Sequence, residues 1–295
     1  MTILVTGGTG FVGGHVVHEL RAQERPVRLL VRAPRSGARA AGLGAELVQG
    51  DMTDADSLRR AVEGCRAVVH LVAIRRGRPQ DFERLMVQGT RDLLAAAKEA
   101  GVERFVHMSA AGTSEQTAQV VPYFRAKWES EQAVAGSGLA YTIFRPSFVF
   151  GGDGGALPMF MRQVRYSPVT PVVGTGLARI QPIWVDDVAA YFAAAIDKAE
   201  AVNRVFELGG PDVVTWNELY ARIAKVLGKR RGRLNIPSGL LRAGAGLTER
   251  LPGAPITRDE LAMIEAGDNV ASDTAAVDTF ALPLVPLDEQ IRRAA

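Results

Sequence analysis

At 295 residues, with 47% hydrophobic and 23% charged positions, the chain can bury one large or two smaller cores, which excludes global disorder. Its single cysteine, Cys65, excludes internal disulfides and thiolate metal clusters and fits a reducing compartment; of four histidines only His15 and His18 lie close together, without a further ligand at metal spacing, so no metal is expected. The net charge of +3 is spread along the chain, with small clusters at Arg75, Arg76 and Arg78 and at Lys229 to Arg233, and reads as solvated surface, so no nucleic-acid partner is expected.

Up to about Arg145, short β-branched runs alternate with longer helical patterns, the signature of an α/β, doubly wound parallel sheet. In chain order, strands are predicted at Ile3 to Thr6, Val27 to Val31, Glu46 to Gln49, Ala67 to Leu71, Arg104 to Met108 and Tyr141 to Phe144. Helices are predicted at Val12 to Arg21, Asp54 to Glu63 with Thr53 as its cap, Asp81 to Glu99, and Pro122 to Ala135, with Gly101 as a stop. After Phe150 the glycines 151, 152, 154 and 155 and the prolines 158, 168 and 171 break the alternation. Two strand-to-helix pairs follow, Arg179 to Val185 with Asp186 to Lys198, and Val205 to Leu208 with Trp216 to Leu227, the last capped by Thr215. Short mixed helices run from Pro237 to the end. The expected organisation is a dinucleotide-binding domain over 1–150 and a smaller α/β region over 151–295, interleaved with the first in space and shaping the substrate cleft beyond the carboxyl ends of the strands.

No apolar run reaches the ~18 residues of a membrane helix, since Asp197 and Lys198 break the longest alanine-rich stretch. The apolar N-terminus lacks a basic leader region and carries a glycine loop, so a soluble, cytoplasmic protein is expected.

That loop holds the strongest signal. Gly7, Gly10 and Gly13 stand as Gly-x-x-Gly-x-x-Gly between the first strand and the first helix. Gly7 permits the turn, Gly10 lets a pyrophosphate approach, and Gly13 lets the helix pack on the strand with its free N–H groups facing the anion. The position about twenty residues on, acidic in NAD-preferring sites, is Arg32, followed by Arg35 and Arg39. Guanidinium forks there favour NADP through its 2′-phosphate, with NAD as the alternative.

Tyr123-Phe124-Arg125-Ala126-Lys127 places a tyrosine and a lysine at i and i+4 on one helix face, in a helix opened by Pro122. A lysine ammonium favours the phenolate and draws the tyrosine down from its free value of about 10, making a general acid or base for a carbonyl or alcohol. Asp186 and Asp187 open a helix after a strand and read as capping residues; Trp184 and Trp216 read as core.

With the glycine loop, Gly50-Asp51, Val68-Val69-His70-Leu71, Gly89-Thr90, Tyr-x-x-x-Lys, Arg145-Pro146-Ser147-Phe148 and Gln181 to Ala189, the chain resembles an extended or atypical short-chain dehydrogenase/reductase. Phe105 to Ala110 and Arg179 to Ala189 look most like relatives of the nucleotide-binding accessory subunit of respiratory complex I. The resemblance implies a Rossmann fold and a reductase or dehydrogenase of a small carbonyl or alcohol, with Tyr123, Lys127 and Ser109 catalytic. It implies cofactor contacts at Gly7, Thr9, Gly10, Phe11, Val12, Gly13, Arg32, Arg35, Asp51, Met52, Leu71, Val72, Ala73, Lys127, Pro146, Ser147 and Phe148. Two positions depart from the pattern. If the catalytic hydroxyl belongs one residue after Ser109, Ala110 stands there and Thr113 or Ser114 would have to substitute; Met86 stands where extended members commonly carry a relay asparagine. These departures support the alternative, a non-catalytic cofactor-binding subunit. The partners expected are a small-molecule substrate and either further copies of the chain or a larger complex.

Overall fold

A computed structural model describes residues 2–242, 261–263 and 267–295. Seven strands form one parallel sheet: β1 Thr2–Thr6, β2 Val27–Val31, β3 Glu46–Gln49, β4 Cys65–His70, β5 Arg104–Met108, β6 Tyr141–Pro146 and β7 Arg204–Leu208. Their order is β7-β6-β5-β4-β1-β2-β3, so the direction of winding reverses between β1 and β4, and the loops after these two strands share one end of the sheet. Val205 to Leu208, read from sequence as part of the C-terminal half, pairs with β6 in register Phe206 to Phe144 and completes the sheet.

Because successive strand residues face opposite sides, the strands bury both. Leu4, Leu30, Val68, Phe105 and Ile143 join one core with Leu58, Leu93 and Val134 of the helices Ala55–Val62, Gly89–Glu99 and Pro122–Ala135. On the other side Val5 and Leu29 meet Val17 of the helix Phe11–Ala22, which packs on the helix Val185–Ala195. Burial on both faces explains the unbroken apolar strand sequences.

The described residues group into two compact units. The first comprises Met1–Pro146, Val185–Leu208 and Asp273–Pro283; the second comprises Ser147–Trp184, Gly209–Ser272 and Leu284–Ala295. The second has its own core, in which Phe150, Leu157, Phe160, Trp184, Trp216 and Ile223 are buried, as expected of both tryptophans.

Local differences from the sequence reading have identifiable causes. Asp54, rather than Thr53, caps the helix Ala55–Val62, accepting from the N–H groups of Asp56 and Ser57. The segment read as one helix from Asp81 to Glu99 is a short helix Pro79–Phe82, a π-turn Glu83–Gln88 and the helix Gly89–Glu99. There the Met86 carbonyl accepts from the hydroxyls of Thr90 and Ser130, and at Gly89 a Cβ would sit 3.0 Å from the Met52 carbonyl oxygen. Arg179 to Val185 yields two short strands, Arg179–Ile180 and Ile183–Trp184. Of the helices expected after Pro237, Ala275–Phe280 and Leu287–Ala294 are present, while 243–260 and 264–266 lie outside the described residues.

Candidate cofactor and active site

In the loop after β1 and the helix it opens, two glycines stand where a side chain would run into backbone. Gly7 has φ +77°, and a Cβ on it would lie 2.9 Å from the backbone of Leu71 and Val72, which continue from β4. A Cβ on Gly13 would lie 2.2 Å from the Gly7 carbonyl oxygen and 2.6 Å from the Gly8 Cα. At Gly8, which the motif spacing passes over, a Cβ would meet side chains instead of backbone, with Leu29 Cδ1 at 2.3 Å. The Gly10 N–H donates to the Gly7 carbonyl at 3.0 Å, folding the loop back on itself. Gly10 then caps the helix Phe11–Ala22 without a side-chain hydrogen bond and with no acid in the first turn. The loop thus offers an exposed backbone surface at Thr9 and Gly10, followed by helix N–H groups uncommitted to any cap, which fits a pyrophosphate.

At the carboxyl ends of β2 and β3 a solvent-open depression of about 410 Å³ is lined by Arg32, Gln49, Gly50, Asp51, Asp54 and Arg60. Burial works against the Asp51 charge, but two hydrogen bonds from Thr53, at 2.9 and 2.7 Å, and the Arg32 and Arg84 guanidinium groups hold its carboxyl below the usual range. Gln49 and Arg60 were not singled out by sequence; no motif marks them. Arg35 is exposed in the turn Pro34–Gly37 and does not line this depression. Met52 is buried in the core, so its side chain is not offered at the surface.

Behind the glycine loop, His70 on β4 bonds Thr6 through Nδ1 at 2.6 Å and Thr90 through Nε2 at 2.9 Å. Because the Thr90 hydroxyl donates to the Met86 carbonyl, it must accept from Nε2–H, which leaves Nδ1 to accept from Thr6. The neutral ring thereby anchors the residue preceding Gly7. Burial, and secondarily the Lys127 charge, push His70 down to about 3. His107 stacks on it at 5.2 Å; it is lowered well below its ordinary value by burial first and by His70 and Lys127 next.

Tyr123 and Lys127 share the helix Pro122–Ala135, whose bounds match the sequence reading. Lys127 is buried and donates to the Met108 carbonyl at the end of β5 at 2.6 Å; its ammonium lies 5.9 Å from the Tyr123 ring centroid. Burial lowers Lys127 to about 8, opposed by Glu131. Burial pushes Tyr123 up to about 12, with Arg75 as the opposing charge. The lowering expected from the lysine is not found: Lys127 is not among the charges acting on the phenol, and removal from water dominates. Ser109 is buried and donates to the Thr113 hydroxyl at 3.3 Å, and Thr113 donates to the Ala110 carbonyl. Ser114 is engaged as the cap of the helix Glu115–Ala118, which leaves Ser109 and Thr113 as the coupled hydroxyls of this loop. The Met86 side chain is buried with Phe82, Val87 and Ala126.

Of the remaining predicted contacts, Leu71 and Val72 flank Gly7 as described, Ala73 is exposed, and Pro146 ends β6, its carbonyl accepting from Ala111. Ser147 and Phe148 belong to the second unit, where Ser147 donates to Asn269 and the Phe148 ring meets Trp216 edge-on at 5.2 Å. Asp186 and Asp187 lie in the first turn of their helix, as expected. Asp186 in addition bonds His15 at 2.6 Å, a pairing across 171 positions that no local pattern signals.

The reversal point, the glycine loop and the side-chain-free helix cap define an NAD(P)-binding protein of the Rossmann type. The chain belongs to the NAD dependent epimerase/dehydratase family, whose model matches residues 3–209. It is similar to NADH dehydrogenase [ubiquinone] 1 alpha subcomplex subunit 9, mitochondrial, of Rattus norvegicus, 29% identical over 96% of this chain and 77% of that protein. The protein of the same name from Arabidopsis thaliana is 30% identical and is matched over 55% of its length. The ceramide reductase of Caulobacter vibrioides is 31% identical over 82% of this chain and 76% of that protein. Among solved structures, that of gox2253 superposes with a TM-score of 0.80 at 25% identity, covering 99% of this chain and 96% of the other. Among the described residues no helix is long and apolar enough to cross a membrane.

Proposed function

We propose that the protein is an NADP-dependent reductase of a small carbonyl compound, with Tyr123 as the acid and Lys127 as its electrostatic partner. The observation that supports this reading is the buried lysine, held by the Met108 carbonyl one helical turn from Tyr123 with its ammonium 5.9 Å from the ring. Arg32, Asp51 and the glycine loop would hold the cofactor, which when bound supplies the hydride. A phenol pushed up to about 12 stays protonated at neutral pH and suits the direction in which a carbonyl oxygen gains a proton as its carbon gains the hydride. Tyr123 donates that proton, and the Lys127 ammonium stabilises the phenolate left behind. Ser109 would hold the reacting oxygen by turning its hydroxyl, which otherwise donates to Thr113, toward it. The similarity to a reductase points the same way.

A second reading, a cofactor-binding subunit without turnover, is favoured by Met86, whose side chain is buried among apolar groups and supplies no relay amide, and by the similarity to a complex I subunit. NADPH oxidation measured against aldehydes, ketones and quinones separates the two. Under the reductase reading, Tyr123→Phe lowers turnover by about 10² to 10⁴-fold without weakening NADPH binding. Tight NADPH binding with no turnover on any compound would overturn it in favour of the subunit.

A further inference from the structure

The depression beside β2 and β3 is lined by two arginines and two aspartates, Arg32, Arg60, Asp51 and Asp54. Arg32 follows β2, and Arg60 comes from the last turn of the helix Ala55–Val62, so two different elements bring guanidinium groups to one open site. The two carboxylates in the lining are turned to other work: Asp51 accepts both Thr53 bonds, and Asp54 accepts from the N–H groups of Asp56 and Ser57 at the start of the helix. Neighbouring arginines are consumed by ion pairs, Arg59 with Asp56 and Glu99, and Arg28 with Glu46. Arg60 makes no hydrogen bond or ion pair among the described residues and faces the depression. An exposed arginine left without a carboxylate, beside a second one, is suited to a dianion whose several oxygens accept from both forks.

We propose that Arg60 and Arg32 form a two-sided clamp for a phosphomonoester, the 2′-phosphate of NADP, and that Arg60 is a specificity-determining residue for the phosphorylated cofactor. This rests on the reading that the glycine loop binds a nicotinamide dinucleotide. The two arginines come from different elements, the loop after β2 and the helix Ala55–Val62, so each contributes separately to selectivity while the pyrophosphate contacts remain those of the loop.

Nucleotide binding to the full chain tests it, followed by calorimetry with NADPH, NADH, 2′,5′-ADP and 5′-ADP. Arg60→Gln should weaken NADPH and 2′,5′-ADP by about tenfold, the loss expected of a charged hydrogen bond, and leave NADH and 5′-ADP within about twofold. Arg32→Gln should do the same, whereas Arg59→Gln, one residue away but already paired, should change none of the four. Unfolding of the variants should match the parent, because both side chains are exposed. The proposal is overturned if Arg60→Gln leaves NADPH binding intact or weakens NADH equally, or if the parent binds the two cofactors with equal affinity. If the parent binds no nucleotide at all, the cofactor reading itself fails; if Arg32 alone discriminates, only the role of Arg60 does.

Discussion

Adding a single methyl group at Gly13 should damage this protein, while adding the same group at Gly14 should help it. At Gly13 the new Cβ would meet the Gly7 carbonyl oxygen at 2.2 Å, the Gly8 Cα at 2.6 Å and the Gly7 carbonyl carbon at 2.8 Å, all inside the about 3.5 Å of ordinary contact. All three are backbone atoms, so no side chain can swing away, and the helix must lift off the loop. Overpacking of this kind costs about 1–3 kcal/mol, against about 1 kcal/mol gained from replacing glycine by alanine in a helix. Gly13→Ala should therefore lie between neutral and about 2 kcal/mol less stable. At Gly14 the nearest atom, the Gly8 carbonyl oxygen, is 4.0 Å away, so Gly14→Ala should gain about 0.5–1 kcal/mol. For a unit of roughly 150–250 residues each kcal/mol moves Tm by about 2–4 °C, so the two variants should separate clearly in a thermal scan. Displacing Gly7, whose carbonyl holds the Gly10 N–H, should also weaken NADPH by about tenfold or more in a fluorescence titration, a loss of about 1.4 kcal/mol. Equal melting temperatures and equal NADPH affinities for the two variants would refute the packing role assigned to Gly13.

Acid should destabilise the fold well before its carboxylates titrate. His70 is held down to about 3, so between that value and about 6.5 the unfolded chain binds the extra proton and stability rises with pH by about 1.4 kcal/mol per unit. Urea unfolding at pH 6.5 and 5 should differ by about 2 kcal/mol from this group alone, with His107 adding in the same direction; a flat profile would contradict the neutral buried pair. Glu131, buried and bonded to Arg145 at 2.9 and 2.6 Å, should cost about 3 kcal/mol when changed to Ala, because a half-buried guanidinium is left facing a space without its carboxylate; a loss below about 1 kcal/mol in chemical denaturation would count against this. Turnover should decline as pH rises through about 8, where Lys127 loses its proton; activity independent of pH up to 10 would remove the ammonium from the mechanism.

Which parts of this arrangement are legible in sequence follows from how local their causes are. The bounds of β2, β3, β5 and the helix Pro122–Ala135 follow from runs of β-branched residues, a proline at the first helical turn and nearby glycines, all within a few residues of the element they define. The π-turn at Glu83–Gln88 was not legible, because its widened geometry depends on the Ser130 hydroxyl, 44 positions away, reaching the Met86 carbonyl. No motif marks Arg60, and nothing near His70 in the sequence marks Thr6 and Thr90 as its partners. Tyr123 and Lys127 were found by spacing, but spacing carries no burial, and burial is what sets their proton affinities.

The amino-acid order by itself determined the α/β class, the glycine loop, the tyrosine–lysine helix and the family resemblance, because periodicity, turn chemistry and motif spacing are written within about twenty residues of each other. Only the tertiary structure decided that Arg204–Leu208 closes the edge of the sheet, that His70 holds Thr6 behind the loop, and that Arg60 and Arg32 line one depression. Each of these is a meeting of groups distant in sequence, fixed by strand order and by the desolvation of polar side chains, and neither quantity exists until the chain has folded.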